Sequence, residues 1–317
     1  MAKLLKRNSW QPERLVPSRV ERFYRGGSRI GRLHGVEEPD GDRPEEWIGS
    51  VTTAFGEAET GLSRLEDGRL LRDAITADPE AWLGREHVER YGTSTGVLVK
   101  LLDSAERLPV HAHPDRRFAS ERLGSPFGKT EAWIVLATRD AASDVWVGLA
   151  RDVERDTYRG WIERQDAEAL LASLHRAEVR AGDVVYVPAG VPHAIGAGAF
   201  VAEVQEATDL SLVCEWRDFP IDPDASHLGL GWDVAVEALD LRIAAPVFGL
   251  PPEARTFFWA DEKPEAVGRF AVLLVCEGSG AVGGAAARPG DGFAVPAAVE
   301  GLEVEGDLRL LRFLAPE

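Results

Sequence analysis

Apolar residues in this chain come in short runs separated by Gly, Pro and charged residues. Residues 96–102, Gly-Val-Leu-Val-Lys-Leu-Leu, predict a buried strand, and 131–137 and Val145–Leu149 predict two more. The β-branched bias of Trp47–Thr53 predicts another after the turn Arg25-Gly26-Gly27-Ser28 and a polar loop over Glu38–Asp42 with Pro44. Between Gly68 and Leu83 the spacing turns helical through Leu70, Leu71, Ala74 and Ile75, with Asp78-Pro79 as punctuation. Residues 153–175 are also helical in character, carried by Trp161, Ile162, Ala169, Leu170, Leu171 and Leu174, and strand patterns resume over 176–216. Asp222–Asp224, around Pro223, marks a boundary, giving units 1–222 and 223–317. In the second unit Ala235, Ala238 and Leu239 allow one short helix. Thr256–Trp259, Phe270–Cys276, Gly292–Pro296 and Leu308–Phe313 read as short strands, and Gly278–Ala287 as a flexible tract. The expected class is mainly β, a sandwich or jelly roll with a few short helices, and not a doubly wound sheet.

Composition narrows the function. The chain has 317 residues, 44% of them apolar, which is enough for a large core and suits about two domains. Lys and Arg number 36 against 53 Asp and Glu, a net charge of −17 that repels nucleic acid and anionic membranes. An anionic substrate therefore needs cations gathered locally. Cys214 and Cys276 lie in apolar stretches and read as buried free thiols. The basic start Met1–Trp10 has no apolar core of a signal peptide, and runs such as Phe270–Cys276 fall far short of the ~20 residues of a membrane span. A soluble cytoplasmic protein is the simplest expectation.

The candidate chemistry is a metal site. His111 and His113 are alternate residues, so in a strand they share a face about 6.6 Å apart and both can reach one ion at ~2.0–2.1 Å. Residues 182–193, Gly-Asp-Val-Val-Tyr-Val-Pro-Ala-Gly-Val-Pro-His, end an apolar run in a tight turn that aims His193 inward. Glu131 abuts the apolar run Trp133–Leu136, where an unpaired carboxylate is costly to bury and a metal would neutralise it. Three imidazoles and one carboxylate are a standard set for one divalent cation. His34, His87, His175 and His227 have no such companions in sequence and read as surface residues. Gly92–Gly96 and Gly283–Ala287 read as plain loops, the latter no phosphate cradle because no helix start follows.

The spacing Gly182, Pro188, Gly190, His193 resembles the second cupin motif, although 17 residues separate His113 from Glu131, more than in an ordinary cupin. That spacing is similar to the type I phosphomannose isomerases, in their short bacterial form. The resemblance runs through Arg22–Gly27, Glu45–Ser50, Leu98–Asp103, His111–Asp115, Gly128–Trp133 and Gly182–Gly196 in order. It implies a cupin-type jelly-roll barrel followed by a smaller β domain, and a cytoplasmic enzyme interconverting mannose 6-phosphate and fructose 6-phosphate, as monomer or homodimer. It implies Zn2+, or another divalent metal, held by His113, Glu131 and His193, with His111 in place of the family's glutamine. Lys129 and Glu203 match active-site residues, with Lys129 as electrostatic helper or proton carrier and Glu203 as a base, and Asp209 matches a nearby aspartate. The family's arginine position falls on Leu212 or Val213, which leaves Arg217, Lys129 or the pair Arg116-Arg117 for phosphate capture. Two alternatives are an isomerase of a non-phosphorylated sugar and a non-catalytic sugar-binding cupin.

Overall fold

A computed structural model describes residues 10–37, 41–263, 265–266 and 268–317. The first nine residues of the basic start, and 38–40 of the expected polar loop, lie outside the described residues. The molecule is built in layers, and its central layer is a seven-stranded antiparallel sheet. In order across the sheet its strands are Val247–Phe248, Val184–Val187, Glu131–Thr138, Ala199–Glu206, Val97–Asp103, Glu45–Ile48 and Arg19–Val20. On one side a five-stranded sheet runs Leu212–Val213, His111–Ala112, His193–Ile195, Ser143–Leu149 and Leu174–Val179. Trp133, Val135, Val185, Val187 and Val201 of the first sheet pack with Val145, Val147, Val179 and Ile195 of the second. This is the jelly-roll barrel, and its core is the space between the two sheets.

The other face of the central sheet is also covered. Val97, Val99, Leu101, Ala132, Ile134, Ala202 and Val204 pack against Phe270, Val272, Leu274, Leu311 and Phe313. Val272, Leu274, Leu311 and Phe313 come from a six-stranded sheet, in order Trp259–Asp261, Arg309–Leu314, Ala271–Glu277, Gly292–Val295, Glu13–Val16 and Arg64–Leu65, and Phe270 directly precedes the third of these strands. Two covered faces explain why every residue of Val97–Asp103 and Ala199–Glu206 is buried, so these segments read as runs and not as alternations. Each large aliphatic or aromatic side chain buried there contributes roughly 1.5–3 kcal/mol. Helices Arg155–Arg164 and Ala167–Ala172 cover the far side of the five-stranded sheet through Tyr158, Ile162 and Leu170. Across the boundary expected at 222, Glu13–Val16 pairs with Gly292–Val295.

Several local expectations need correction. The strand expected over Trp47–Thr53 is Glu45–Ile48 instead, because Gly49 at φ +64° turns the chain against Val272. Thr256–Trp259 is the end of a 3-10 helix, Pro252–Thr256, followed by the strand Trp259–Asp261. The tract Gly278–Ala287 is an ordered hairpin of Gly280–Val282 and Ala285–Ala287. Its turn is Gly283-Gly284, both at positive φ (+56° and +78°), the conformation a two-residue hairpin loop demands. The helical stretch after Gly68 is two helices, Leu71–Ala77 and Pro79–Leu83, with Asp78 capping the second through Ala81 N. Helix Arg116–Leu123, capped by Asp115 on Phe118 N at 2.7 Å, has no counterpart in the sequence reading. Cys214 and Cys276 are buried free thiols.

Candidate active site

The pleat sets the site. Successive side chains of a strand point to opposite faces, so when Val97, Val99 and Leu101 face the outer sheet, Lys100 faces the barrel interior. The same alternation turns Glu131 and Glu203 inward between outward-facing neighbours. Register then brings them close: Glu203 lies opposite Lys100 on one side and Trp133 on the other, and Gln205 lies opposite Glu131. From the facing sheet, His193 pairs directly with His111. The turn ahead of His193 depends on Gly190, at φ +86°, whose N–H donates to His113 O at 2.6 Å and whose carbonyl accepts from Asp240 N at 2.8 Å. A Cβ there would stand 3.0 Å from Ala238 O.

His111, His113 and His193 place their ligand atoms within 4.8 Å of one another. Each Nδ1 faces a backbone carbonyl: Pro109 O at 2.9 Å, Leu210 O at 2.9 Å and Val191 O at 2.8 Å respectively. A carbonyl can only accept, so each Nδ1 carries the proton and each Nε2 is an acceptor. Burial, then His193 and His113, hold His111 well below the usual histidine range. Burial, then Lys129, push His113 down to about 3. Both are therefore neutral near pH 7, as metal ligands must be. Glu131 Oε2 lies 3.1 Å from His113 Nε2, and Oε1 lies 3.3 Å from His193 Nε2. Burial opposes ionisation of Glu131, but Lys129 and His113 outweigh it and hold the carboxyl well below its ordinary range.

His193 Nε2 is buried without a hydrogen-bond partner among the described residues, which is an expensive state for a lone ring nitrogen. Lys129 meanwhile donates to His113 Nε2 at 2.7 Å and to Glu131 Oε2, so a positive charge already sits among these donors. Three imidazoles, one of them with an orphaned buried Nε2, and one carboxylate fit a divalent cation. Beside them Glu203 is pushed up to about 7, first by burial and then by Glu131, with Lys129 pulling the other way from 3.6 Å. Glu203 Oε1 has no hydrogen-bond partner among the described residues.

The structure thus brings together His111, His113, His193, Glu131, Lys129, Glu203 and Asp209. It does not bring Arg217: that side chain is exposed, its Nη2 donates to Arg164 O at 2.7 Å, and it lines none of the described cavities around the histidines. Its place beyond the strand Leu212–Val213 turns it toward the covering helix. Arg116 is paired with Glu206 at 2.5 Å, and Arg117 with Glu121 at 3.0 Å on an exposed helix face. Of the histidines read as surface residues, His34 is instead partly buried on Glu46 at 2.8 Å, and His87 is buried on Ser94 O at 2.7 Å.

Arg22, Tyr24, Glu45 and Lys100, which lie in the matching segments but received no role from sequence, line the same chamber. Lys100 spreads over the Trp47 ring at 4.8 Å, with Glu45 and Asp209 each 3.5 Å from its ammonium. Tyr24 Oη donates to Glu45 at 2.5 Å, and Trp47 Nε1 donates to the same carboxylate at 2.7 Å. Arg22 forks onto Asp209 at 3.0 and 3.3 Å, and Phe55 N adds a bond at 3.2 Å. Burial would raise the Asp209 carboxyl, but Arg22 and Lys100 together hold it far below its usual range. One signal in the sequence was available: a lysine in the middle of the run Gly96–Leu102 must meet a charge or a cavity once that run is buried.

No protein-family model matches the chain. Mannose-6-phosphate isomerase of Streptococcus mutans is 31% identical over 198 residues, 61% of this chain and 57% of that protein. Mannose-6-phosphate isomerase ManA of Bacillus subtilis is 30% identical over 158 residues, 49% of this chain and 48% of that protein. The chain thus matches less than two thirds of the length of these curated relatives. Over nearly the whole chain it superimposes on the crystal structure of the Bacillus subtilis mannose 6-phosphate isomerase, with a TM-score of 0.76, 23% identity, and coverage of 96% of this chain and 99% of that one. A single-residue variant of phosphomannose isomerase from Salmonella typhimurium superimposes with a TM-score of 0.73, 17% identity, and coverage of 96% and 100%. The fold is that of the phosphomannose isomerases, a cupin barrel with further β layers.

Proposed function

We propose that this protein is a metal-dependent aldose–ketose isomerase that interconverts mannose 6-phosphate and fructose 6-phosphate. The observation that carries the reading is the cluster of His111, His113 and His193, with ligand atoms within 4.8 Å of one another, Glu131 against His113 and His193, and Lys129 and Glu203 beside it. The names of its relatives agree with it. His111, His113, Glu131 and His193 would hold the ion, with zinc the first choice for such a donor set. A third imidazole, from His111, where the resemblance has an amide, also suits other first-row divalent metals. Bound there, the cation supplies Lewis acidity to a sugar carbonyl oxygen.

The remaining work falls to the side chains of the chamber. Isomerisation moves a proton between C2 and C1 and another between the two oxygens. Glu203 has an affinity for protons near that of a base working at neutral pH, and it takes the carbon proton. Lys129 donates to the oxygen that gains charge and carries the proton between oxygens. Arg22, Lys100 and Lys129 face the four carboxylates of Glu45, Glu131, Glu203 and Asp209. A divalent cation reverses that balance and makes the chamber attractive to an anion. We assign this work to residues 1–222, with 223–317 as the second β unit, in a cytoplasmic protein that is a monomer or homodimer. Among the described residues no helix is long and apolar enough to cross a membrane.

A second reading, an isomerase of a free hexose, is favoured by the apolar Leu212 and Val213 and by the outward course of Arg217. Metal-loaded protein assayed with mannose 6-phosphate, fructose 6-phosphate, mannose and fructose separates the two. The proposal expects turnover of the phosphorylated pair. Turnover of the free sugars alone supports the second reading, and binding without turnover of any sugar contradicts both.

A further inference from the structure

A sugar phosphate approaching a protein of net charge −17 needs a cation placed for its dianionic end. Lys129 is bound to His113 and Glu131, and Lys100 is held between Glu45 and Asp209 over Trp47. Arg116, Arg117 and Arg217 are engaged away from the chamber. Arg22 is placed differently. It lines the histidine chamber, an adjoining apolar cleft with Phe23, Phe55 and Ile221, and a polar cleft with Arg19 and Arg43. Among the described residues it is the one side chain common to all three.

Its donors are also not all used. A guanidinium carries five N–H groups. Asp209 takes one from Nη1 at 3.0 Å and one from Nη2 at 3.3 Å. Nε lies 3.3 Å from Glu45 Oε1 but, although buried, makes no aligned hydrogen bond. Asp209 and Glu45 therefore fix the plane of the fork while N–H groups remain for a ligand. The polar cleft beyond it holds Arg19, Arg22 and Arg43 against Glu21 and Glu57, an excess of positive charge on a strongly acidic protein.

We infer that Arg22 is the anion anchor of the site. Resting on the isomerase reading above, it receives the phosphate of the sugar where it lines both the histidine chamber and the polar cleft, and the exposed Arg43 of that cleft adds to the local potential. A planar fork suits the tetrahedral oxygens of a phosphate, and a lysine at this position would offer only a point charge.

The test uses metal-loaded wild type, Arg22→Lys, Arg22→Gln and Arg43→Gln. Steady-state kinetics are measured on mannose 6-phosphate, with inorganic phosphate as competitor. Arg22→Gln is expected to raise KM about 100-fold or more and to weaken phosphate inhibition in parallel, with a much smaller effect on kcat. Arg22→Lys is expected to raise KM about 10-fold and the exposed Arg43→Gln about 3-fold. These last two keep the question open to test if Arg22→Gln fails to fold. KM and phosphate inhibition unchanged in Arg22→Lys would overturn the assignment. If wild type turns over no sugar phosphate, the isomerase reading fails by itself. Calorimetric titration of inorganic phosphate into metal-loaded wild type and Arg22→Lys still decides Arg22: about 10-fold weaker binding in the variant supports the anchor, and equal binding refutes it.

Discussion

Glu203 shows at the scale of one residue how this site trades stability for chemistry. Its carboxyl is buried beside Glu131 and pushed up to about 7, above the ~4.3 of a free glutamate. In the metal-free protein the folded state therefore holds this proton more tightly than the unfolded chain does. Stability from Glu203 is present below about pH 4 and is lost as pH rises toward 7, after which the penalty is constant. Glu203→Gln removes that penalty. Urea unfolding of the metal-free proteins is expected to show the variant more stable at pH 8, by up to about 3 kcal/mol, and equal to wild type near pH 4. The same substitution in the metal-loaded enzyme should lower kcat by about 100-fold or more. A variant less stable at pH 8, or fully active, would show that Glu203 is an ordinary paired carboxylate.

At the scale of elements, the strand Val184–Val187, its turn and the strand His193–Ile195 form the unit that aims a ligand. Gly190→Ala puts a Cβ 3.0 Å from Ala238 O at a φ of +86°, so it should cost about 1–3 kcal/mol and move His193. Competition with a chelator should show weaker metal binding in that variant together with a lower thermal midpoint. Unchanged affinity would mean that the turn does not set the histidine. This unit was legible in sequence because Pro188, Gly190 and His193 stand next to one another and the backbone they require is local. Helix Arg116–Leu123 was equally local, with Pro114-Asp115 as its start signal, but its surface is polar and its hydrophobic period weak. The Gly283-Gly284 hairpin reads as a flexible tract because glycine composition does not distinguish a tight turn from a loose loop, and the ladder between Val282 and Ala285 settles it.

At the scale of the whole molecule, what was hidden in the sequence is whatever depends on distant pairing. Arg22 and Asp209 are 187 residues apart, and neither hydrophobic period nor motif spacing brings them into one chamber. The N-terminal strand Glu13–Val16 likewise joins a sheet made mostly of C-terminal strands. The central sheet is covered on both faces, so its strands show continuous apolar runs whose partners cannot be read from period alone. The proposed ligand set was readable because each residue sits in its own short motif, and the fold brings those motifs together.

That ligand set is the central claim, and metal stoichiometry tests it most directly. Protein loaded with zinc, desalted and analysed by mass spectrometry should hold about one equivalent per chain, and His193→Ala should hold almost none while keeping its fold by circular dichroism. A folded His193→Ala that retains a full equivalent would contradict the account.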